Sequence, residues 1–101
     1  MAEIRFGLSD PVIDNIDIDQ DKQGYYEVKV KVREKSPSSL PKKVLRVKLI
    51  DLGKLFDKQL AIETWNPSQS RKANMRAQTT LKLNTGRKEY PARFKIVFEY
   101  A

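Results

Sequence analysis

The sequence predicts one all-β domain over residues 1–101, an antiparallel immunoglobulin-like β-sandwich of about seven strands. Three observations predict it. A chain of 101 residues has room for one modest hydrophobic core but not for two. Apolar and polar residues alternate with a period of two in most segments, as they do in strands with one buried face. Clusters of Pro, Gly, Ser and Asn separate these segments at short intervals, which is typical of all-β sandwiches.

The clearest strands lie within residues 24–50. In each half of this segment β-branched, aliphatic or aromatic residues alternate with charged ones, which suits a pleated surface with one side in water. The expected inward positions are Tyr26, Val28, Val30, Val32, Leu45, Val47 and Leu49. The Ser- and Pro-rich run 36–41 lies between the halves and separates the two strands.

The same alternation predicts the remaining strands. They cover residues 2–8, 12–19, 58–65, 74–83 and 92–100. Turns are expected at 20–24, 66–70 and 84–88, where polar and turn-forming residues cluster. Trp65 and the alternating Phe94, Ile96 and Phe98 are expected to pack in the core, because large aromatic side chains dominate small cores.

Residues 51–63 fit two patterns. The positions that would line one face of a helix are Leu52, Leu55, Phe56 and Leu60. Leu60 and Ile62 instead alternate as in a strand, and Gly53 disfavours the helix. We therefore predict a loop followed by a strand. The helical option belongs to an alternative fold, an OB-like barrel of five strands, which leaves the two N-terminal strands as an extension.

The residue types exclude most small-enzyme mechanisms. The chain contains no Cys and no His, so it has no disulfide, no thiolate nucleophile, no imidazole base and no zinc site of the usual kind. No spacing of Asp, Glu, Lys or Tyr indicates a catalytic group. We predict that the protein is not an enzyme, needs no cofactor and takes no small-molecule ligand.

Two further signals are absent from the sequence. It has no apolar run of about 18 residues, so no membrane span is predicted. Residues 1–14 lack the basic and apolar regions of a signal peptide. The compartment is left open.

The charge distribution is uneven. The net charge is +7, yet residues 1–23 hold six acidic and two basic residues, a net of −4, so the remainder carries +11. Such a basic body attracts acidic protein surfaces or polyanions.

Basic residues on the expected water side of the strands form the candidate partner-binding set. They are Lys29, Lys31, Arg33, Arg46, Lys48, Arg76, Lys82 and Lys95. Because neighbouring strands lie about 5 Å apart, basic residues on adjacent strands would form a positive face. We expect a non-enzymatic interaction or structural module that meets an acidic protein surface or self-associates.

Two other interpretations of these residues stay open. The same side chains could neutralise the phosphates of a nucleic acid, which is our alternative function. Against it, only Tyr25 alternates onto the lysine side of the central strand, whereas single-strand binders usually offer several stacking rings. Lysines on the water side also keep a sheet soluble and its edges unpaired.

An acidic series precedes the central strand. Asp17, Asp19 and Asp21 have the opening spacing of a calcium loop, in which carboxylate oxygens converge on one cation. Lys22 stands where that loop needs Gly, and Val28 stands where it needs a bidentate Glu. The other interpretation is a solvated strand edge whose acids discourage aggregation and pair with the basic body.

The order of the segments resembles CARDB domains, small adhesion-related sandwiches that are similar to fibronectin type III modules. The resemblance is carried by the patterns of residues 28–36, 44–62, 70–83 and 91–100. It implies a sandwich with a binding or assembly role and transfers no functional residue. This chain departs from the family in being rich in lysine and poor in glycine, and it lacks the export signal that family members carry.

Overall fold

A computed structural model describes residues 11–35, 44–70 and 76–100 of the chain. These residues form six strands and one helical turn. The elements are β1 (Val12–Gln20), β2 (Tyr26–Arg33), β3 (Leu45–Asp51), β4 (Lys58–Trp65), α1 (Pro67–Ser70), β5 (Gln78–Asn84) and β6 (Phe94–Tyr100). Residues 2–8, predicted as the first strand, lie outside the described residues, so that strand stays a prediction.

The strands form two antiparallel sheets of three strands each. Sheet A has the order β1-β2-β5, and sheet B has the order β4-β3-β6. The predicted all-β antiparallel class is confirmed. The chain passes from one sheet to the other between β2 and β3, between β4 and β5, and between β5 and β6.

The two sheets share one hydrophobic core. Its buried members are Val28, Val30, Val32, Ala77, Leu81 and Leu83 from β2 and β5 or their flanks, and Leu45, Val47, Leu49 and Trp65 from β3 and β4. Six of the seven inward positions predicted for the central strands are fully buried, and the seventh, Tyr26, is partly buried. Trp65 is buried as expected. Burying an aliphatic side chain contributes about 1.5–3 kcal/mol, so this cluster is the main source of stability.

Residues 51–63 adopt the predicted loop and strand. Residues 52–57 form the loop between β3 and β4, and no helix occupies this fully described segment. Gly53 lies so close to the chain that a Cβ there would overlap the carbonyl oxygen of Phe56. A residue with a side chain would push the loop open, which explains a glycine at this position.

Two boundaries differ from the prediction. The strand predicted over 74–83 begins only at Gln78 in the described part. The predicted turn over 66–70 contains a single helical turn, in which the Asn66 Oδ1 accepts hydrogen bonds from the backbone N–H and the hydroxyl of Ser68. Asn at the N-cap followed by Pro67 at the first helical position is a favoured start for a helical turn.

The hydrogen bonds of Arg87 define one end of the molecule, which we call the Arg87 end. The backbone N–H of Tyr26, at the start of β2, donates to the Arg87 carbonyl, and the Arg87 guanidinium lies 3.0 Å from Asp51, at the end of β3. Phe94, at the start of β6, pairs with Asp51. Because β1 is antiparallel to β2, β1 runs toward this end, whereas β6 runs away from it.

The two sides of the molecule differ. On one side the edge strands β4 and β5 pack against each other across the core. Since the order in sheet A is β1-β2-β5 and that in sheet B is β6-β3-β4, the edge strands of the other side are β1 and β6. These two make no comparable contact within the described residues. We call this second side the open side.

Candidate interaction surfaces

The predicted basic residues divide between two surfaces. Lys29, Lys31, Arg33 and Lys82 lie on the outer face of sheet A, whereas Arg46, Lys48 and Lys95 lie on the outer face of sheet B. Because β2 and β3 belong to different sheets, the predicted set of basic residues does not form one continuous face. Arg76 is exposed and lies just before β5.

On sheet B the basic side chains are largely neutralised. Glu99 of β6 accepts a 2.9 Å hydrogen bond from Lys48 and lies 3.9 Å from Arg46. Lys95 lies 3.6 Å from Asp57 in the β3–β4 loop. Such exposed ion pairs stabilise a fold by about 0–1 kcal/mol each, but they reduce the positive potential that a partner would meet.

On sheet A the balance is different. Lys29 lies directly opposite Lys82 in the β2–β5 register, and Lys31 is the next outward residue along β2. Lys29 pairs with Asp19 at 3.2 Å. Lys31 and Lys82 are exposed and form no ion pair with any described residue. Like charges directly opposite each other on a sheet repel, so the Lys29–Lys82 pair does not stabilise the fold. We call Lys29, Lys31 and Lys82 the lysine group.

The edge of sheet A next to the lysine group is acidic. Asp14 of β1 binds Arg33 through a 2.8 Å contact to its Nε, and Asp17 is the cross-strand neighbour of Lys29. The outer face of sheet A therefore changes from acidic at β1 to basic at β2 and β5. Of the acidic series, only Asp19 forms an ion pair with a basic residue in the described part of the chain, and its partner is Lys29.

Asp21 acts within the turn between β1 and β2. Its carboxylate accepts hydrogen bonds from the backbone N–H groups of Gln23 and Tyr25, at 2.9 and 3.0 Å, and from the side chain of Asn84. Partial desolvation raises the pKa of Asp21, but these hydrogen bonds outweigh it and leave the pKa below its ordinary value. Within the described residues no cluster of three Asp or Glu is placed to hold a metal ion.

Tyr25, the ring predicted on the lysine side, is already engaged. The ammonium of Lys88 lies 5.4 Å from the centre of its ring, which is a cation–π distance. Tyr26 meets Tyr90 edge to face, with ring centres 5.5 Å apart. Lys88 therefore covers one of the two ring faces of Tyr25 on which a base could stack.

A cleft at the Arg87 end could not be inferred from local sequence patterns. It has a volume of about 300 Å³ and is bordered by the Asp51–Arg87 ion pair, the exposed ring of Tyr90, Glu89 and Arg93. The cleft forms because residues 36 apart in the chain meet across the two sheets.

Glu34 was also not among the predicted residues. It is fully buried just after β2, and its carboxylate accepts a 2.8 Å hydrogen bond from the backbone N–H of Ala77. Its own backbone N–H donates to the Ala77 carbonyl. The carboxylate thus extends the β2–β5 ladder beyond the last strand pair. Its position is structural, because a buried acid held by backbone is not accessible to a partner.

Comparison with known proteins adds no relative. No protein-family model, curated protein or solved structure matches the chain. Among the residues that the structure describes, no helix is long and apolar enough to cross a membrane.

Proposed function

We propose that this chain is a non-enzymatic protein-interaction and assembly module, built as an immunoglobulin-like sandwich, whose basic surface meets an acidic protein. The observation that carries the proposal is the lysine group on the outer face of sheet A. Two of its three ammonium groups, those of Lys31 and Lys82, form no ion pair with a described acidic side chain, and a partner can supply one. Charge complementarity of this kind raises the encounter rate and selects the partner.

The order of the strands supports the immunoglobulin-like part of the proposal. In that fold the first, second and fifth strands share one sheet, and the third and sixth share the other. The orders β1-β2-β5 and β4-β3-β6 follow this arrangement, with β4 added beside β3 as in variable-type domains. A seventh strand would lie beside β6.

The test reverses charge at the lysine group. The variant Lys31→Glu/Lys82→Glu is compared with Lys54→Glu/Lys58→Glu, which makes the same change of net charge at exposed residues of the β3–β4 loop and the start of β4. Fluorescence anisotropy of labelled poly-L-glutamate is measured at low and at physiological salt. We expect the first variant to bind about tenfold more weakly than the wild type and the second to change by less than about twofold. Equal losses would mean that only net charge matters and would overturn the proposal.

The same titration with labelled single- and double-stranded DNA and RNA tests the alternative, a nucleic-acid-binding protein. Each lysine that contacts a phosphate contributes about one unit to the slope of log affinity against log salt. Nucleic acid bound more tightly than poly-L-glutamate, with the slope reduced by about two in Lys31→Glu/Lys82→Glu, would replace our proposal with the alternative.

A further inference from the structure

We propose that the Arg87 end docks on an anionic lipid bilayer and inserts Leu55 and Phe56, in the loop between β3 and β4, among the lipid headgroups. The inference goes beyond the acidic-protein partner proposed above and does not rest on it. It concerns a different surface, because the lysine group lies on the outer face of sheet A. The loops at the Arg87 end are residues 21–25, 52–57 and 85–93.

The first argument is the exposure of this apolar pair. Leu55 and Phe56 are 88% and 79% exposed. Tyr90 is 60% exposed and lies at the same end, where it borders the cleft together with Gly53 and Lys54. The other exposed large apolar residues in the described part of the chain are only 37–44% exposed. Single apolar residues are common on a protein surface, but three of the most exposed ones gathered at one end indicate an interaction site.

The second argument is the shape of the loop. Gly53 lies so close to the Phe56 carbonyl that residues 53–56 must reverse the chain within four positions. Leu55 lies inside this reversal, and neither Leu55 nor Phe56 packs against the core. The loop therefore presents two adjacent apolar side chains on a convex feature. A protein partner would need a pocket shaped to receive them, whereas the headgroup region of a bilayer accepts apolar side chains without one.

The third argument is the charge around the apolar pair. The loops of the Arg87 end and Lys58, the first residue of β4, hold six basic and three acidic residues, a net of +3. One of these acids, Asp57, is already paired with Lys95. The basic residues that form no ion pair with any described residue are Lys22, Lys54, Lys58, Lys88 and Arg93. An anionic bilayer surface attracts such a group of cations.

The apolar and basic residues are also in the order that an interfacial loop requires. Lys54 and Lys58 flank the apolar pair in the sequence, so their aliphatic stems can lie beside it while the ammonium groups stay among the lipid phosphates. Tyr90 has an apolar ring and a polar hydroxyl, and residues of this kind are enriched where bilayer and water meet. Apolar insertion and charge attraction add in the binding of a protein to such a surface.

The first experiment is sedimentation with lipid vesicles. The vesicles contain either phosphatidylcholine alone or equal parts of phosphatidylcholine and phosphatidylserine. Leu55→Ser/Phe56→Ser removes the apolar pair without changing the charge, and Val44→Ser/Ile62→Ser is the matched control, since it removes two exposed apolar residues elsewhere. We expect the wild type to bind the anionic vesicles and to bind phosphatidylcholine alone at least about tenfold more weakly. The loop variant should bind the anionic vesicles at least about tenfold more weakly than the wild type, and the control should stay within about twofold.

A second experiment reports insertion directly and does not depend on a loss of binding. Phe56→Trp places a fluorophore in the loop, and Ile62→Trp places one on the outer face of sheet B. In both variants Trp65 lies at the far end of β4, about 23 Å from Lys58 at 3.3 Å per residue. Lipids brominated near the headgroup should quench the added tryptophan of Phe56→Trp, but neither that of Ile62→Trp nor Trp65 in the wild type.

Three outcomes would overturn the inference. In the first, the wild type does not bind anionic vesicles, or Leu55→Ser/Phe56→Ser binds them equally well. In the second, the vesicles bind without quenching Phe56→Trp, which would show adsorption by charge alone. In the third, light scattering without lipid shows that the wild type self-associates and that Leu55→Ser/Phe56→Ser does not. The apolar pair would then belong to a contact between copies of the chain.

The charge variants separate this inference from the proposed function. Lys54→Glu/Lys58→Glu, which is expected to leave poly-L-glutamate binding nearly unchanged, should weaken vesicle binding at least about tenfold. Lys31→Glu/Lys82→Glu should weaken vesicle binding by less than about threefold. If vesicles bind through the loop but poly-L-glutamate does not bind, the acidic-partner proposal alone is wrong. If poly-L-glutamate binds and vesicles do not, the bilayer inference alone is wrong.

Discussion

Asp21 shows how one side chain can hold a turn in place. Its carboxylate binds the backbone N–H groups of Gln23 and Tyr25, and its own backbone carbonyl accepts from Gly24, which has a φ of 89°. Glycine adopts this left-handed conformation without a steric penalty. Asn84 of β5 also donates to the carboxylate, so the residue joins the β1–β2 turn to the end of the third strand of its sheet.

This geometry predicts a pH-dependent contribution to stability. Because the folded-state pKa of Asp21 is lower than the ordinary 3.8, its ionised form is favoured by folding. The stabilisation is present above pH 3.8 and is lost as the pH falls through the folded-state pKa. We expect Asp21→Asn to lower the melting temperature by a few degrees at pH 6 and by progressively less as the pH approaches 2.

Asp17→Asn is the matched control, since among the described residues Asn15, two positions away, is the one side chain that donates a hydrogen bond to its carboxylate. Thermal melts followed by circular dichroism should show a pH-dependent difference for Asp21→Asn and a smaller one for Asp17→Asn. A difference for Asp21→Asn that does not change between pH 6 and pH 2 would show that the loss does not come from the ionised carboxylate.

At the scale of the element, the β3–β4 loop depends on the close approach of Gly53 to the Phe56 carbonyl. Replacing Gly by Ala normally stabilises a protein by about 0.4–1 kcal/mol through the unfolded state. Here the new methyl group would meet backbone, which cannot rotate away, and overpacking costs about 1–3 kcal/mol. We therefore expect Gly53→Ala to reduce the free energy of unfolding by about 1–2 kcal/mol, measured by urea denaturation.

Lys54→Ala serves as the comparison, because this neighbouring side chain is exposed and its removal should change stability by less than about 0.5 kcal/mol. A Gly53→Ala protein with an unchanged or higher denaturation midpoint would show that the loop relaxes freely.

The elements also show what local patterns can and cannot predict. Alternation at Val28, Val30 and Val32 identifies a strand and its buried face because the side-chain period of a strand is two. It does not identify the sheet to which the strand belongs. Lys31 and Lys48 both belong to the candidate partner-binding set because both lie on the water side of a strand, yet pairing with β5 and β6 puts them on the outer faces of different sheets. Sheet membership depends on contacts between distant residues, which alternation does not record.

Contacts between distant residues also determine two surface features that the alternation of residues did not predict. The Asp51–Arg87 pair and the exposure of Ile16 both depend on which strands lie at an edge. Ile16 alternates like any core residue, yet it is 39% exposed on β1, which is an edge strand among the described strands.

At the scale of the whole molecule, the two sheets share a single core and should unfold together. Val30 belongs to sheet A, whereas Trp65, the only tryptophan in the sequence, belongs to sheet B. The fluorescence of Trp65 therefore reports on one sheet while a substitution perturbs the other. Val30→Ala removes buried methyl groups, and we expect it to reduce the free energy of unfolding by about 2 kcal/mol.

If the core is one cooperative unit, Val30→Ala should lower the urea midpoint seen by Trp65 fluorescence and the midpoint seen by far-ultraviolet circular dichroism by the same amount. Coincident transitions by different probes are the mark of two-state unfolding. Thr80→Ala, on the exposed face of β5, should move neither midpoint appreciably. A fluorescence midpoint that stays at the wild-type value while the circular dichroism midpoint falls would mean that sheet B holds its structure without sheet A. Coincident shifts would instead mean that the two sheets unfold as one cooperative unit, because Val30 of sheet A and Trp65 of sheet B belong to the same core.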